Sequence, residues 1–177
     1  IAHPAATISN AVHFSLSGDA ISIAAGTYNV TNRITLLQGM NMFGASRATT
    51  IVTNWVIVHN AAYAPGSGTG ACFLPGNNSS ISNLWVVNVE AIIGGTDFQA
   101  ALGTSSHFAS PTDPGFTNVT MSIRVLGTSD NVFIDTTNHC DLIIYNPQFQ
   151  STWDLVAVIS TNAGANHNVT IYGGSLT

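Results

Sequence analysis

One short pattern of apolar and polar positions returns along the second half of the chain. Asn118-Val-Thr-Met-Ser, Asp141-Leu-Ile-Ile-Tyr and Asn168-Val-Thr-Ile-Tyr each run Asn or Asp, apolar, any residue, apolar, then a polar or aromatic residue. Asn83-Leu-Trp-Val-Val reads as a fourth copy. A second phrase follows at a nearly constant distance: Asp97-Phe-Gln-Ala, Asn131-Val-Phe-Ile and Asp154-Leu-Val-Ala begin 14, 13 and 13 residues after Asn83, Asn118 and Asp141. Alternation within each phrase is the period of a strand. Paired strand phrases that recur every 20 to 40 residues describe coils stacked on one another.

This phase predicts the core. Leu84, Val119, Leu142 and Val169 point inward and stack, as do Val86, Met121, Ile144 and Ile171. On a second face Phe98, Val132 and Leu155 stack, with Ala100, Ile134 and Ala157 beside them. Asn83, Asn118, Asp141 and Asn168 fall on one corner, and Asp97, Asn131 and Asp154 on another. Asn and Asp accept the left-handed backbone of a turn and bond neighbouring amides, so these polar ladders are structural.

The first part of the chain carries the same alternation in shorter pieces. Residues 5–17 have a weak helical spacing through Ile8, Ala11, Val12 and Ser15, and predict a short helix or turn that covers the first coil. Strands are expected at Ile21–Ile23, Ile34–Leu36, Met40–Gly44, Ile51–Val52 and Trp55–Val58. Asn60 to Gly70, rich in Ala, Gly, Ser and Pro, and Gly103 to Thr117, with Pro111 and Pro114, interrupt the period and read as protruding loops. Val169-Thr-Ile-Tyr is the final strand phrase, so either further chain or another subunit is expected to cover the edge it leaves open.

The opening Gly18-Asp19-x-Ile-x-Ile, Gly26-Thr27-Tyr28, Ile34-Thr-Leu, and Met42-Phe-Gly44 with Thr50-Ile51 resemble the right-handed parallel β-helix superfamily of pectate lyases and phage tailspikes. By motif the resemblance covers the first fifty or so residues, and by coil periodicity the remainder. It implies an all-β, single-stranded right-handed parallel β-helix (solenoid) over residues 1–177 as one domain. Residues 1–18 would be its N-terminal cap, and 60–70 and 103–117 its protruding loops. A fold of this kind says nothing by itself about activity.

Composition narrows the partners. Charged residues make up 6% of the chain, there is no lysine, and the arginines are Arg33, Arg47 and Arg124. With a net charge of -5 and no basic cluster, nothing is available to neutralise a phosphate backbone, so nucleic acid is excluded as a partner. No apolar run approaches the ~20 residues of a membrane-spanning helix. Cys72 and Cys140 fall in different coils and read as two buried free thiols. Asn29, Asn77, Asn78, Asn118 and Asn168 sit in Asn-x-Ser/Thr sequons, but Asn118 and Asn168 have a turn to make.

Candidate chemistry is sparse. Polysaccharide hydrolases on this fold set two or three carboxylates on neighbouring coils. Here the tightest titratable cluster is Asp130, Asp135, His139 and Asp141, which a turn would gather for polar reasons alone. The paired Asp and Gly-His-Gly of polygalacturonases are absent, and the calcium-binding carboxylates and cationic base of pectate lyases have no convincing counterpart. Pectin methylesterase signatures are missing too. His3, His13, His59, His107, His139 and His167 share no spacing, so neither a metal nor another cofactor is implied.

Outward aromatics suggest a surface instead. Tyr145 and Tyr172 share one phase in successive coils, beside Ser122 and Val87, and Trp85 projects from the same side one step earlier. Such rings can hold the apolar faces of sugars or stack against a partner subunit. The sequence thus points to a non-catalytic structural or adhesive module of an extracellular or virion assembly, homo-oligomeric with a trimer favoured, which contacts surface glycans through Trp85, Tyr145 and Tyr172. The alternative is a polysaccharide lyase or glycoside hydrolase of the pectate-lyase-like group acting through Asp130, Asp135, His139 and Asp141. An ice-binding face would need a regular Thr-x-Thr array, and there is none.

Overall fold

The computed structural model describes residues 5–55, 72–88, 99–103, 116–126, 131–135, 140–150, 158–159 and 167–176. Among the described residues, one short helix precedes the strands. Helix α1 (Ile8–His13) starts at Thr7, whose extended backbone and hydroxyl, accepting from the Asn10 N–H at 3.1 Å, cap its first turn. Ile8 is buried, and α1 packs against the first three strands, so it covers the first coil as its spacing predicts.

The strands follow in groups of two or three, one group to each coil. The first coil holds β1 (Ala20–Ile23), β2 (Gly26–Val30) and β3 (Ile34–Thr35), and the second β4 (Asn41–Gly44), β5 (Thr50–Asn54) and β6 (Phe73–Leu74). The third is β7 (Ser80–Asn88) and β8 (Gln99–Gly103), and the fourth β9 (Phe116–Leu126) and β10 (Asn131–Asp135). In both, one long strand bends to serve two faces. The fifth coil holds β11 (Cys140–Tyr145), β12 (Gln148–Gln150) and β13 (Val158–Ile159), and the last β14 (His167–Tyr172) and β15 (Ser175–Leu176).

Every pairing between these strands is parallel. One face runs β1-β4-β7-β9-β11-β14, and another β3-β6-β8-β10-β13. The remaining face is β2, β5, the second half of β7, the end of β9, β12 and β15. A chain that adds one parallel strand to each face per turn is a right-handed parallel β-helix.

The core is a set of columns, one side chain per coil. Ile21, Met42, Ile81, Met121, Ile144 and Ile171 are successive partners in register. From Met42 to Ile144 they are essentially sealed, whereas Ile171, which no described strand covers, is 42% exposed. Val52, Val86 and Val125 form a second column, and Ile34 and Phe73 begin a third. Each buried aliphatic contributes about 1.5–3 kcal/mol. Leu142 pairs with both Val119 and Val169, and Ile144 with Met121 and Ile171, as the repeated phrase predicts.

The corner ladder is also present. Asn118 has φ 49°, its N–H donates to Asp141 Oδ2 at 3.1 Å, and its Nδ2 donates to Asn78 Oδ1 at 3.0 Å. Asn78, with φ 58°, is therefore the rung before Asn118, and Asn83 is not. Ser80 pairs with Thr120 and Ile81 with Met121, which moves the fourth copy five residues upstream of its predicted place. Val86 accordingly sits over Val125 rather than Met121. The reason is chemical. Ser79 fills the inward slot that Val119 and Leu142 occupy on the following coils, so the true copy carries no apolar mark there. Asn83 belongs to the next corner, where it and Leu84 together face the single residue Ile123 across a bulge.

The second phrases are also displaced. Asn131 pairs with Gln99 rather than Asp97, and Val132 and Ile134 face Ala100 and Leu102, two residues beyond the predicted partners. Ile134 faces Val158 where Ala157 is expected. Val156 to Ile159 is continuously apolar, so no alternation fixes its phase. Asp97, Phe98, Asp154, Leu155 and Ala157 lie outside the described residues. So do the whole of 60–70 and residues 104–115 of the second predicted loop, whose ends Gly103, Phe116 and Thr117 belong to β8 and β9. Cys72 is a buried free thiol, and burial pushes its ionisation far above the ordinary thiol range.

Candidate functional site

The outer surface of the first face carries one row of side chains from β1 to β14. Ser22 pairs with Phe43, Phe43 with Ser82, and Ser82 with Ser122. Beyond Ser122 the row continues in Tyr145, which pairs with Tyr172. The alternation that buries Ile144 and leaves Ile171 in the inward phase turns both tyrosines outward. Their rings stack 5.4 Å apart at an interplanar angle of 14°, and they are 44% and 54% exposed.

A cation reaches this row from another coil. Arg47, in the connection between β4 and β5, donates from Nη1 to the carbonyl of Asn146. Its Nη2 donates to Ser122 Oγ and, at 3.4 Å, to the carbonyl of Tyr145. The Ser122 hydroxyl also donates to the Tyr145 carbonyl, at 3.1 Å. Partial burial lowers the Arg47 pKa from its ordinary value. Asn146 turns the chain at φ 45°, and its N–H donates to the Tyr172 carbonyl at 2.7 Å. The tyrosine pair thus stands on a backbone held from two sides.

Trp85 belongs elsewhere. It lies on the neighbouring face, paired with Ile51 and Arg124, and the Arg124 guanidinium carbon sits 4.0 Å above its ring. The predicted grouping of Trp85 with the tyrosines is therefore incorrect. The bulge at Asn83 and Leu84 carries the chain round the corner before Trp85, and Val87 goes with it. Trp85 Nε1 is buried with no hydrogen-bond partner, which is costly for an indole. The ring is half-buried under its arginine, an arrangement that serves packing and a cation–π contact.

The predicted acid–base cluster is only partly placed. Asp130 and His139 lie outside the described residues. Asp135 ends β10, paired with Gly103 and Ile159, while Asp141 lies on β11 in the adjoining face. The Asp141 carboxylate accepts the Asn118 N–H, the structural role expected of that corner. Asp19 Oδ2 likewise accepts the Leu16 N–H, at 2.7 Å. Among the described residues no group of three or more His, Cys, Asp or Glu could hold a metal. No helix there is long and apolar enough to cross a membrane.

Arg47 and Ser122 are the members of this surface whose joint role sequence reasoning missed. Arg47 stands in a connection without periodicity, and its partners are 75 to 99 residues away.

No protein-family profile matches the chain, and no curated protein sequence does. Solved structures similar in fold are pectin methylesterases. PemA from Erwinia chrysanthemi is 16% identical with a TM-score of 0.44, over 81% of this chain and 50% of its own. A pectin methylesterase variant in complex with a hexasaccharide is 15% identical with a TM-score of 0.47, over 97% and 61%. Another hexasaccharide complex is 17% identical with a TM-score of 0.43, over 97% and 56%. The chain spans between half and two thirds of the length of these proteins. The class that the architecture defines is the right-handed parallel β-helix.

Proposed function

We propose that this chain is a carbohydrate-contacting β-helix module whose ligand surface is the Tyr145–Tyr172 pair. The observation that carries the reading is the exposed, near-parallel stack of the two rings on a solid sheet. Pyranose rings present apolar faces of C–H bonds that pack on such aromatics, while hydroxyls meet nearby polar groups. Ser122 and Asn146 border the stack and supply those groups. The role we propose is binding rather than catalysis, and the Asp19 and Asp141 carboxylates serve turn hydrogen bonds.

Such a module suits an extracellular or virion assembly, and a homotrimer is the favoured form. The outer side of the neighbouring face supports self-association, since half-buried Ile51, Trp85, Val87 and Leu126 lie together there, interrupted only by Thr53 and by Arg124 over the Trp85 ring.

The test is retention on a panel of neutral and acidic polysaccharides, pectin among them, by affinity electrophoresis. Wild type should be retarded by at least one, and Tyr145→Ala and Tyr172→Ala should each lose about tenfold in affinity, a typical loss for an aromatic anchor. Retardation unchanged in both variants would sink the reading. The competing reading is an enzyme that cuts polysaccharide through Asp130, Asp135, His139 and Asp141. It predicts release of reducing or unsaturated ends, abolished in Asp135→Asn.

A further inference from the structure

An open groove of about 860 Å³ runs between α1 and β1, on the far side of the first coil from β4. Ile8, Ala11 and Phe14 form its helical side, and residues 20–24 its floor. Among the described residues β1 is the last strand of its face. Its pairing uses one edge: the carbonyls of Asp19 and Ile23 accept from the N–H groups of Asn41 and Ala45, at 2.9 and 3.0 Å. Successive residues of a strand turn their amides to opposite sides, so the N–H and C=O groups of Ala20 and Ser22 face the groove.

We propose that this groove docks one extended peptide segment of a partner protein, as an added parallel strand on β1. The free edge decides the form of the ligand. A row of backbone donors and acceptors is satisfied by another backbone, and an apolar small molecule would leave it unpaired. The helix forms the opposite wall, so a strand that joins the β1 edge lies along the groove beside α1. The core column decides the side chains. Ile21 and Ile23 point inward, so the peptide residues opposite them are branched aliphatics, with small residues between.

Charge sets the polarity. Asp19 is the one charged side chain lining the groove, on a protein of net charge -5. A parallel strand brings its first residue beside Asp19, and that residue is therefore basic. Phe14, which lines the groove and is 77% exposed, gains cover when the strand binds.

The probe is the blocked hexapeptide Ac-Arg-Ala-Ile-Ser-Ile-Ala-NH2, titrated into the isotope-labelled full chain and followed by amide NMR. Binding should shift the Ala20 and Ser22 amides and slow their exchange. Ser22→Pro removes a donor that the fold does not use, at an edge where proline is tolerated. It should leave the circular dichroism unchanged and weaken binding about tenfold. Independently of that variant, N-methylation of both peptide isoleucines should abolish binding, and replacing the peptide arginine with glutamate should weaken it in a salt-sensitive way. Equal binding of the N-methylated peptide, shifts confined to another surface, or no binding at millimolar peptide would each overturn the proposal. So would sedimentation showing that copies of the chain pair through β1 and resist the peptide.

Discussion

Leu142 on β11 lies directly opposite Val169 on β14, and the residues on either side of them pair in the same unbroken register. This fixes the phase of the later coils. Every second side chain from Leu142 goes to the core and every other one to the surface, which the following substitutions test.

Ile144 is fully buried between Met121 and Ile171, whereas its neighbour Tyr145 is 44% exposed. Ile144→Asp should cost on the order of 3–5 kcal/mol, as an unpaired buried charge does, and erase most of the folded population. Tyr145→Asp should fold. Urea unfolding followed by circular dichroism compares the two, and equal damage would mean that the faces are reversed.

Ser79 is sealed in the inward position next to the Asn78 turn, and its hydroxyl has no partner. Ser79→Ala should therefore stabilise by about 1 kcal/mol, because it removes a buried unsatisfied group. A lower urea midpoint in the variant would show that the hydroxyl is satisfied after all.

Asn118 combines a left-handed backbone with hydrogen bonds to the coils before and after it. Asn118→Ala should lose about 1–2 kcal/mol through backbone strain and the missing side-chain bond to Asn78. Asn118→Gly keeps the conformation and should lose less. If the two variants unfold at the same denaturant concentration, the turn strain is not felt.

The buried Cys72 thiol holds its proton to higher pH than the same thiol in the unfolded chain. Its contribution to stability is complete below the unfolded thiol pKa, near 9.0, and falls as pH rises above that value, because only the unfolded chain then releases the proton. Melting temperatures of wild type should decline above about pH 9 more steeply than those of Cys72→Ala. Parallel declines would rule out this linkage. In a Cys140→Ser background, native Cys72 should also resist thiol reagents until the chain unfolds.

Where the sequence was legible, local chemistry and long-range order agreed. Asp141-Leu-Ile-Ile-Tyr and Asn168-Val-Thr-Ile-Tyr align without a gap because the turn residue, the two inward aliphatics and the outward tyrosine keep their character from coil to coil, and only Ile143 and Thr170 differ in polarity. The tyrosine pair follows from that alignment alone. The third coil departs from the phase its sequence suggests because Ser79 breaks the apolar code and Leu84–Val87 imitates it five residues later. The same shift sets Trp85 on the neighbouring face instead of beside the tyrosines. Arg47 carries no periodic signal, since a side chain that reaches across coils leaves no trace in the spacing of its neighbours.

That reach alters how the shaft would yield to a pull. A stack in which each turn grips only the next unravels one turn at a time under load. Arg47 ties a connection in the second coil to Ser122 in the fourth and Asn146 at the end of β11 in the fifth, so the intervening length is clasped as a block. Tension from the β14 end would peel the last turn freely, then meet the clasp, and the middle would come away in one larger step.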